Sequence, residues 1–354
     1  MQVRRREVLR LGAAALALPF ARPARAQPVP PLLAAIMGGS QRAADTQALL
    51  AAMREGLAAE GRTEPLNLRT ELRFDATDAA LAAASASELA ALGPAAFLAN
   101  TNIVAEEVLN RARRSAVAGA TRIRSASRAS RKVTRTVPVV FLPVGDPIDA
   151  GFVRSYARPG GNATGFTDFE PSHAGKWLSF LREIVPDLRR VGLMFNPDTA
   201  PRNGWFYLTA FTADALSLRI EPLAMRIRTI ADIEPAIAAQ AAVAGTGLIV
   251  APDVFMMVNR SAVIDSVARH RLPAIYPYGN YTDEGGLISY SIDMVDIFRR
   301  GGAYLGRILD GESPANLPVQ APEKFQLAVN LTTARAFGLT IPPTLLATAD
   351  RVIE

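Results

Sequence analysis

The 354-residue chain has no cysteine, two histidines and two tryptophans. Without cysteine no disulfide can staple it, so buried apolar cores must hold the fold. His173 and His270 lie far apart, in no metal-ligand spacing, within helical patterns that suit solvated or cap-region histidines. Catalytic signatures are equally scarce. There is no G-x-S-x-G elbow, and Ser40 in "GGSQR" has no nearby histidine. "GGNATG" departs from the dinucleotide fingerprint and follows a helical pattern instead of a strand; Gly175-Lys176 runs into Trp177, so no Walker A exists. Beyond the N-terminus no stretch is long and apolar enough to span a membrane. These absences point away from an enzyme and toward a binding protein with no cofactor and no metal.

What is present is globular: 49% hydrophobic and 20% charged residues, with 25 Gly and 25 Pro. The net charge of +6 is concentrated in two places. Six arginines fall in the first 26 residues, and nine Lys or Arg with no acid fall in 111–135. With both set aside, acids outnumber bases, which argues against a general nucleic-acid binder. The N-terminal arginines belong to an export signal: "RRREVLR", then the short apolar "LGAAALALPFA", then Ala24-Arg25-Ala26 as a small-x-small cleavage site. Cleavage after Ala26 would place the protein in the periplasm. Arg5-Arg6 fits a twin-arginine signal, although Val8 stands where Phe is usual, and general secretion stays open.

Strand-like apolar runs alternate with helical patterns along the chain, as in "LLAAIMG", "RVGLMF" and "GLIVAP". Such alternation gives α/β architecture, with sheets covered by helices on both faces. Two series of elements predict two doubly wound, Rossmann-like lobes joined by a multi-crossover hinge. The first lobe is expected over 27–157 plus about 282–312, with a basic insert at about 111–133. The second is expected over 158–281 plus about 313–354. Crossings are placed near "ARPGGNATGFTDF", near "YPYGNY", and after Gly311. A hinge of this kind leaves a cleft between the lobes as the ligand site.

"RPGGNATGFTDFEPSHAGKWLSFLREIVPDLRRVGLMFNPDTAP", "GLIVAPDVF", "ARHRLPAIYPY" and "GGLISYSIDMVDIFRRGGAYLGRILDGESPANLPVQAPEKFQLAVNL" resemble ABC-transporter substrate-binding proteins of the tryptophan/tyrosine-binding type. So does the C-terminal "AFGLTIPPTLLATADRVIE". The resemblance implies a periplasmic binding protein of type I fold, a monomer that closes on a small solute and delivers it to a membrane permease with a separate ATPase. The membrane would be met only through the permease. A periplasmic ligand-sensing protein of a signalling system would use the same fold. Between Asn100-Thr101 and "TRTVP" this chain runs roughly fifteen to twenty residues longer than the resemblance implies, a length a surface tolerates. The excess is basic. It reads as a solvated insertion or, alternatively, as an arm for anionic lipid or nucleic acid; no aromatics interleave its bases.

Ligand groups in such lobes lie just past the strand ends. In the first lobe these are Gly38-Gly39-Ser40, Asn100-Thr101 and Gly145-Asp146; in the second, Asn196-Pro197 and Asp253; at the crossing, Thr167-Asp168-Phe169. Ser40 and Thr101 are candidates for a carboxylate, beside helix N-termini. Asp253 or Asp293 is a candidate for an ammonium. Tyr276, Tyr278 and Tyr290 with Phe169 could wall an apolar side chain. Asp253 and Asp293 each precede a helical run, so both also read as caps. The solute expected is an amino acid or a small carboxylate.

Overall fold

The computed structural model describes residues 29–123, 137–168 and 172–354. The export signal with its cleavage site, and the basic stretch beyond Ile123, lie outside the described residues. Pro31–Glu354 forms one compact unit.

The first lobe holds a five-stranded sheet of β1 (Leu32–Ile36), β2 (Arg69–Arg73), β3 (Ala96–Ala99), β4 (Val139–Val144) and β5 (Ala163–Thr167), ordered β2-β1-β3-β4-β5 and parallel throughout. Helices α1 (Ala44–Ala59), α2 (Ala79–Ala91) and α3 (Asn102–Ile123) connect its strands. The interior strands β1, β3 and β4, and the edge strand β5, are buried end to end, because helices cover both faces of the sheet. The edge strand β2, "RTELR", alternates charge and exposure, which discourages pairing with another chain.

The second lobe holds seven strands in the order β12-β11-β10-β9-β8-β6-β7. They are β6 (Arg190–Phe195), β7 (Glu221–Arg226), β8 (Thr246–Val250), β9 (Ala274–Tyr276), β10 (Ile288–Ile292), β11 (Phe325–Asn330) and β12 (Arg351–Ile353). Around them lie α4 (Ser172–Ile184), α5 (Trp205–Ser217), α6 (Ile233–Ala241), α7 (Val254–Val258), α8 (Arg260–His270), α9 (Gly279–Asp283), α11 (Leu331–Phe337) and α12 (Pro343–Thr348). One core packs Trp177, Phe195, Tyr207 and Phe211 against one face of the sheet; Met194, Ile237, Met256 and Tyr281 belong to another. His173 is buried edge-on against Phe325, 4.8 Å between ring centres, so it is a core residue and not a solvated one. His270 Nε2 lies 2.7 Å from Glu234 Oε1.

The boundaries between lobes differ from those expected. "NATGF" is not a crossing strand but β5, the edge of the first sheet. "LISYSI" is β10, and it pairs with β9 and β11 in the second sheet instead of returning to the first lobe. Only its helix returns: α10 (Met294–Leu309) packs against α1. The contact is backbone to backbone, since a Cβ on Gly302 would stand 2.1 Å from the Met53 carbonyl oxygen and one on Gly56 1.9 Å from that of Arg299. Glycine at both positions is what lets α10 dock there. The chain thus passes between lobes after Thr167, at Asp293, and between Gln320 and Phe325. The last passage explains why β11 runs antiparallel to β10: the segment between them travels through the other lobe and is no βαβ crossover. The Asp293 amide donates to the Lys324 carbonyl (3.2 Å), tying two of these passages together.

Candidate ligand-binding site

The carboxyl ends of both sheets face one cleft. It encloses a cavity of about 40 Å³, room for about three waters. Asn100, Thr101, Asn102 and Pro143 line it from the first lobe; Thr199, Pro201, Pro252, Asp253, Val254, Met257 and Tyr278 from the second; Asp168 and Met294 where the chain crosses. No lysine, arginine or histidine is among them.

On the first-lobe side, two asparagines are braces. Asn100 accepts from the Gly38 amide (3.2 Å) and donates to the Leu142 carbonyl (2.6 Å), binding the ends of β1, β3 and β4 together. Asn102 donates to the Gly145 carbonyl (2.6 Å) and accepts from the Gly145 amide (2.9 Å). Thr101 between them is held at φ 94°, a region that a β-branched residue enters only under constraint. Its Oγ1 accepts a long bond from the Val104 amide (3.4 Å), which leaves its proton to donate. The N-terminus of α3 opens at this point, with first-turn N–H groups that have no helical acceptor.

The second lobe braces its wall with an acid. Asp253 Oδ2 accepts from the Asn196 amide (2.9 Å), and Oδ1 accepts from the Met256 amide (2.9 Å) and the Thr199 hydroxyl (3.1 Å). Burial pushes its carboxyl up to about 6, against these bonds, which favour the ionised form. Asp168 is the opposite case. It is half-buried at the crossing, with Oδ1 shielded from solvent and without a hydrogen-bond partner; desolvation, opposed by its own backbone amide, pushes its carboxyl up to about 7. The lobes also meet directly: a Cβ on Gly38 would lie 3.1 Å from Val254 Cγ2 across the cleft. Arg202 pairs with Asp149 (2.6 Å) and more distantly with Asp146 (3.5 Å), while Asp45 receives Arg260 (3.7 Å) and the Asn280 amide group (3.1 Å).

Of the residues expected from the sequence, Asn100, Thr101, Asp253 and Tyr278 line the cavity together. The others lie elsewhere. Ser40 is exposed, and its carbonyl accepts from the Ala43 amide in a turn. Asp146, at φ 47°, serves the Asp149 amide and faces Arg202. Asn196 spends its side chain on the Arg228 carbonyl and the Asp198 amide. Tyr276 is stacked on Tyr281 inside the second lobe, 4.9 Å between ring centres. Tyr290 stacks on Phe325 at 5.5 Å. Asp293 caps α10 through the Asp296 amide (2.9 Å), so the cap reading holds for it and the ammonium reading does not fit. Phe169 lies outside the described residues. Asp168, Met257 and Met294 are among the further lining residues; Asp168 stood at the expected crossing, but nothing in its sequence marked it as the acid with an oxygen to spare.

Two lobes of parallel sheets joined by three chain passages, with a cleft at the strand ends, define the type I periplasmic binding fold. The family model for ABC transporter substrate binding proteins matches residues 90–353, and the chain belongs to that family. A protein of Clostridioides difficile named "Tyrosine-binding protein" is 23% identical over 214 residues, about 60% of each chain. Among solved structures, an ABC domain from Streptococcus pneumonia in complex with L-Trp is similar over 92% of this chain and 100% of that one, with a TM-score of 0.77 and 20% identity. The ligand-free, open structure of a substrate-binding protein from Clostridium difficile gives 0.63 over 91% and 99%, at 19% identity. Among the described residues, no helix is long and apolar enough to cross a membrane.

Proposed function

We propose that this protein is the periplasmic solute-binding component of an ABC importer, and that it closes on a free amino acid and passes it to a permease. The observation that carries the reading is the makeup of the cavity wall. It joins a helix N-terminus and a free hydroxyl on one lobe to an apolar wall on the other, with an acid where the lobes join that has one shielded, unpartnered oxygen. An α-carboxylate suits the α3 N-terminus and Thr101. An α-ammonium suits Asp168, in place of Asp253, whose oxygens are already engaged. Val254, Met257, Met294 and Tyr278 offer an apolar surface to the side chain. The L-Trp bound in the pneumococcal domain and the name of the Clostridioides relative agree with this class of solute. The N-terminal signal would be removed after Ala26 on export, as suits a family of exported proteins.

Thermal-shift screening of amino acids, sugars and dicarboxylates, followed by calorimetric titration, tests it. L-Tryptophan or L-tyrosine should raise the melting temperature and bind. Tryptamine and indole-3-propionate, which each lack one charge, should bind at least about thirtyfold more weakly. Stabilisation by a sugar or dicarboxylate alone would overturn the assignment to amino acids.

A further inference from the structure

The cavity has an unusual charge balance: the buried Asp253, the half-buried Asp168 with its shielded Oδ1 and, among the described lining residues, no cation. Asp253 meets its burial with amide and hydroxyl donors on both oxygens. Asp168 has no such company. Among the described residues, the titratable groups near it are Tyr207 on α5 and Tyr278 before α9, with Asp253 at the head of α7 lining the same cavity, and none of these is a cation. The first-lobe wall adds Asn100, Thr101 and Asn102, and the head of α10 adds Met294; none of these titrates. A carboxylate oxygen buried without a donor, in a cavity shared with a second acid, favours the neutral form.

We infer that Asp168 holds a proton while the cleft is without solute, and that an amine-bearing solute displaces it: solute capture is coupled to proton release. The inference rests on the amino-acid reading above and adds a regulation to it. In the step the Asp168 O–H bond breaks and the proton leaves to solvent or buffer. The solute arrives already as R–NH₃⁺ and donates an N–H bond to the carboxylate that remains. Charge balances: the zwitterionic solute brings no net charge, the released proton carries the positive charge away, and the negative charge left on Asp168 is met locally by the ammonium. Desolvation, opposed by the residue's own backbone amide, holds the carboxyl at about 7, so the exchange falls near neutral pH.

Affinity for such a solute therefore rises with pH up to about 7, by as much as about tenfold per pH unit, and levels off above it. The test is calorimetric titration of the mature protein with L-tryptophan and with L-tyrosine. It is run from pH 5 to 8.5 in pairs of buffers of different ionisation enthalpy. The expected result is release of about one proton per solute at pH 5–6, falling toward none at pH 8.5. Asp168→Asn should abolish the release and flatten the pH profile. Its affinity should trail the wild type most at pH 8 and approach it at pH 5, where both side chains are neutral. The variant's cooperative melting is checked first; should it fail to fold, the wild-type proton count and its midpoint decide alone. Binding without buffer dependence, or release that persists in Asp168→Asn, overturns the coupling and leaves the amino-acid reading intact. Binding of a solute without an amine overturns both the coupling and the amino-acid assignment. A protein that binds none of the panel overturns the solute-binding reading as well.

Discussion

The first-lobe wall of the cleft is braced by neutral amides, Asn100 and Asn102, while the second-lobe wall is braced by a carboxylate, Asp253. Both devices do the same mechanical work, which is to hold strand ends and helix starts at fixed distances. They differ in electrostatic consequence. An amide satisfies one donor and one acceptor without burying charge. Asp253 serves three donors at once but is held about two pH units above its ordinary range, near 6. Residues that look like ligand contacts, because they are polar and sit past a strand end, are thus mostly occupied in holding the cleft open to the right shape. What remains for a solute is the group that bracing leaves over: the Thr101 hydroxyl on one side and Asp168 where the lobes join.

The sharpest way to break the comparison is to remove each brace. Asp253→Ala strips the Asn196 and Met256 amides and the Thr199 hydroxyl of their acceptor, and should cost about 3 kcal/mol of stability. Chemical denaturation of the variant at pH 7 reads this. A loss under about 1 kcal/mol would mean that the brace is decorative and that Asp253 is free to meet solute. Next in size is a pH effect of Asp168. Its folded carboxyl lies above the unfolded one, so its contribution to stability is complete below about pH 4 and is lost as pH rises through about 7. Between pH 5 and 7 the stability difference between wild type and Asp168→Asn should shift by about 2 kcal/mol, with the wild type falling faster. Parallel profiles would show that Asp168 does not titrate in this range.

Asn100→Ala should cost about 1–3 kcal/mol, because the Gly38 amide and the Leu142 carbonyl lose a partner while no charge is disturbed. Its cost should be independent of pH from 5 to 8, unlike that of Asp253→Ala, which grows as pH falls through about 6, because a carboxyl raised in the folded state adds stability when it takes up its proton. The smallest effect belongs to the rim. Arg202→Ala removes half-exposed ion pairs to Asp149 and Asp146 that hold only when the lobes are together. It should leave the melting temperature within error and weaken solute binding by less than about fivefold, an effect that fades further in high salt.

Most elements were legible because local pattern decides them. β6 runs over "RVGLMF", the apolar run that predicts it, and β1 and β8 agree with "LLAAIMG" and "GLIVAP" within two residues at each end. Which lobe an element joins was less legible. β10 reads as "LISYSI" wherever it is placed, since a strand buried on both faces carries no mark of its neighbour. Its place is fixed by pairing with β9 and β11, and by Gly302, which lets the next helix leave for α1. The aromatic wall likewise depended on packing that no local pattern records: Tyr276 and Tyr290 sit in stacked aromatic pairs, while Tyr278 lines the cavity.

By itself the sequence determined the α/β alternation, the two series of elements and the strand ends that meet in a cleft, which follow from periodicity and spacing within about ten residues; the family came from the resemblance of long motifs spread along the chain. It also determined that Asp253 and Asp293 would be caps if they were not ligands, because a cap's donor lies three residues away. Only the tertiary structure decided between those roles. Asp253 acquires its further donors from Asn196 and Thr199, more than fifty residues distant, whereas Asp168, an aspartate with the same intrinsic chemistry, is brought to the junction of the lobes and left with an unpaired oxygen. Hydrogen-bond satisfaction is settled by which neighbours the fold delivers, and no local pattern records it.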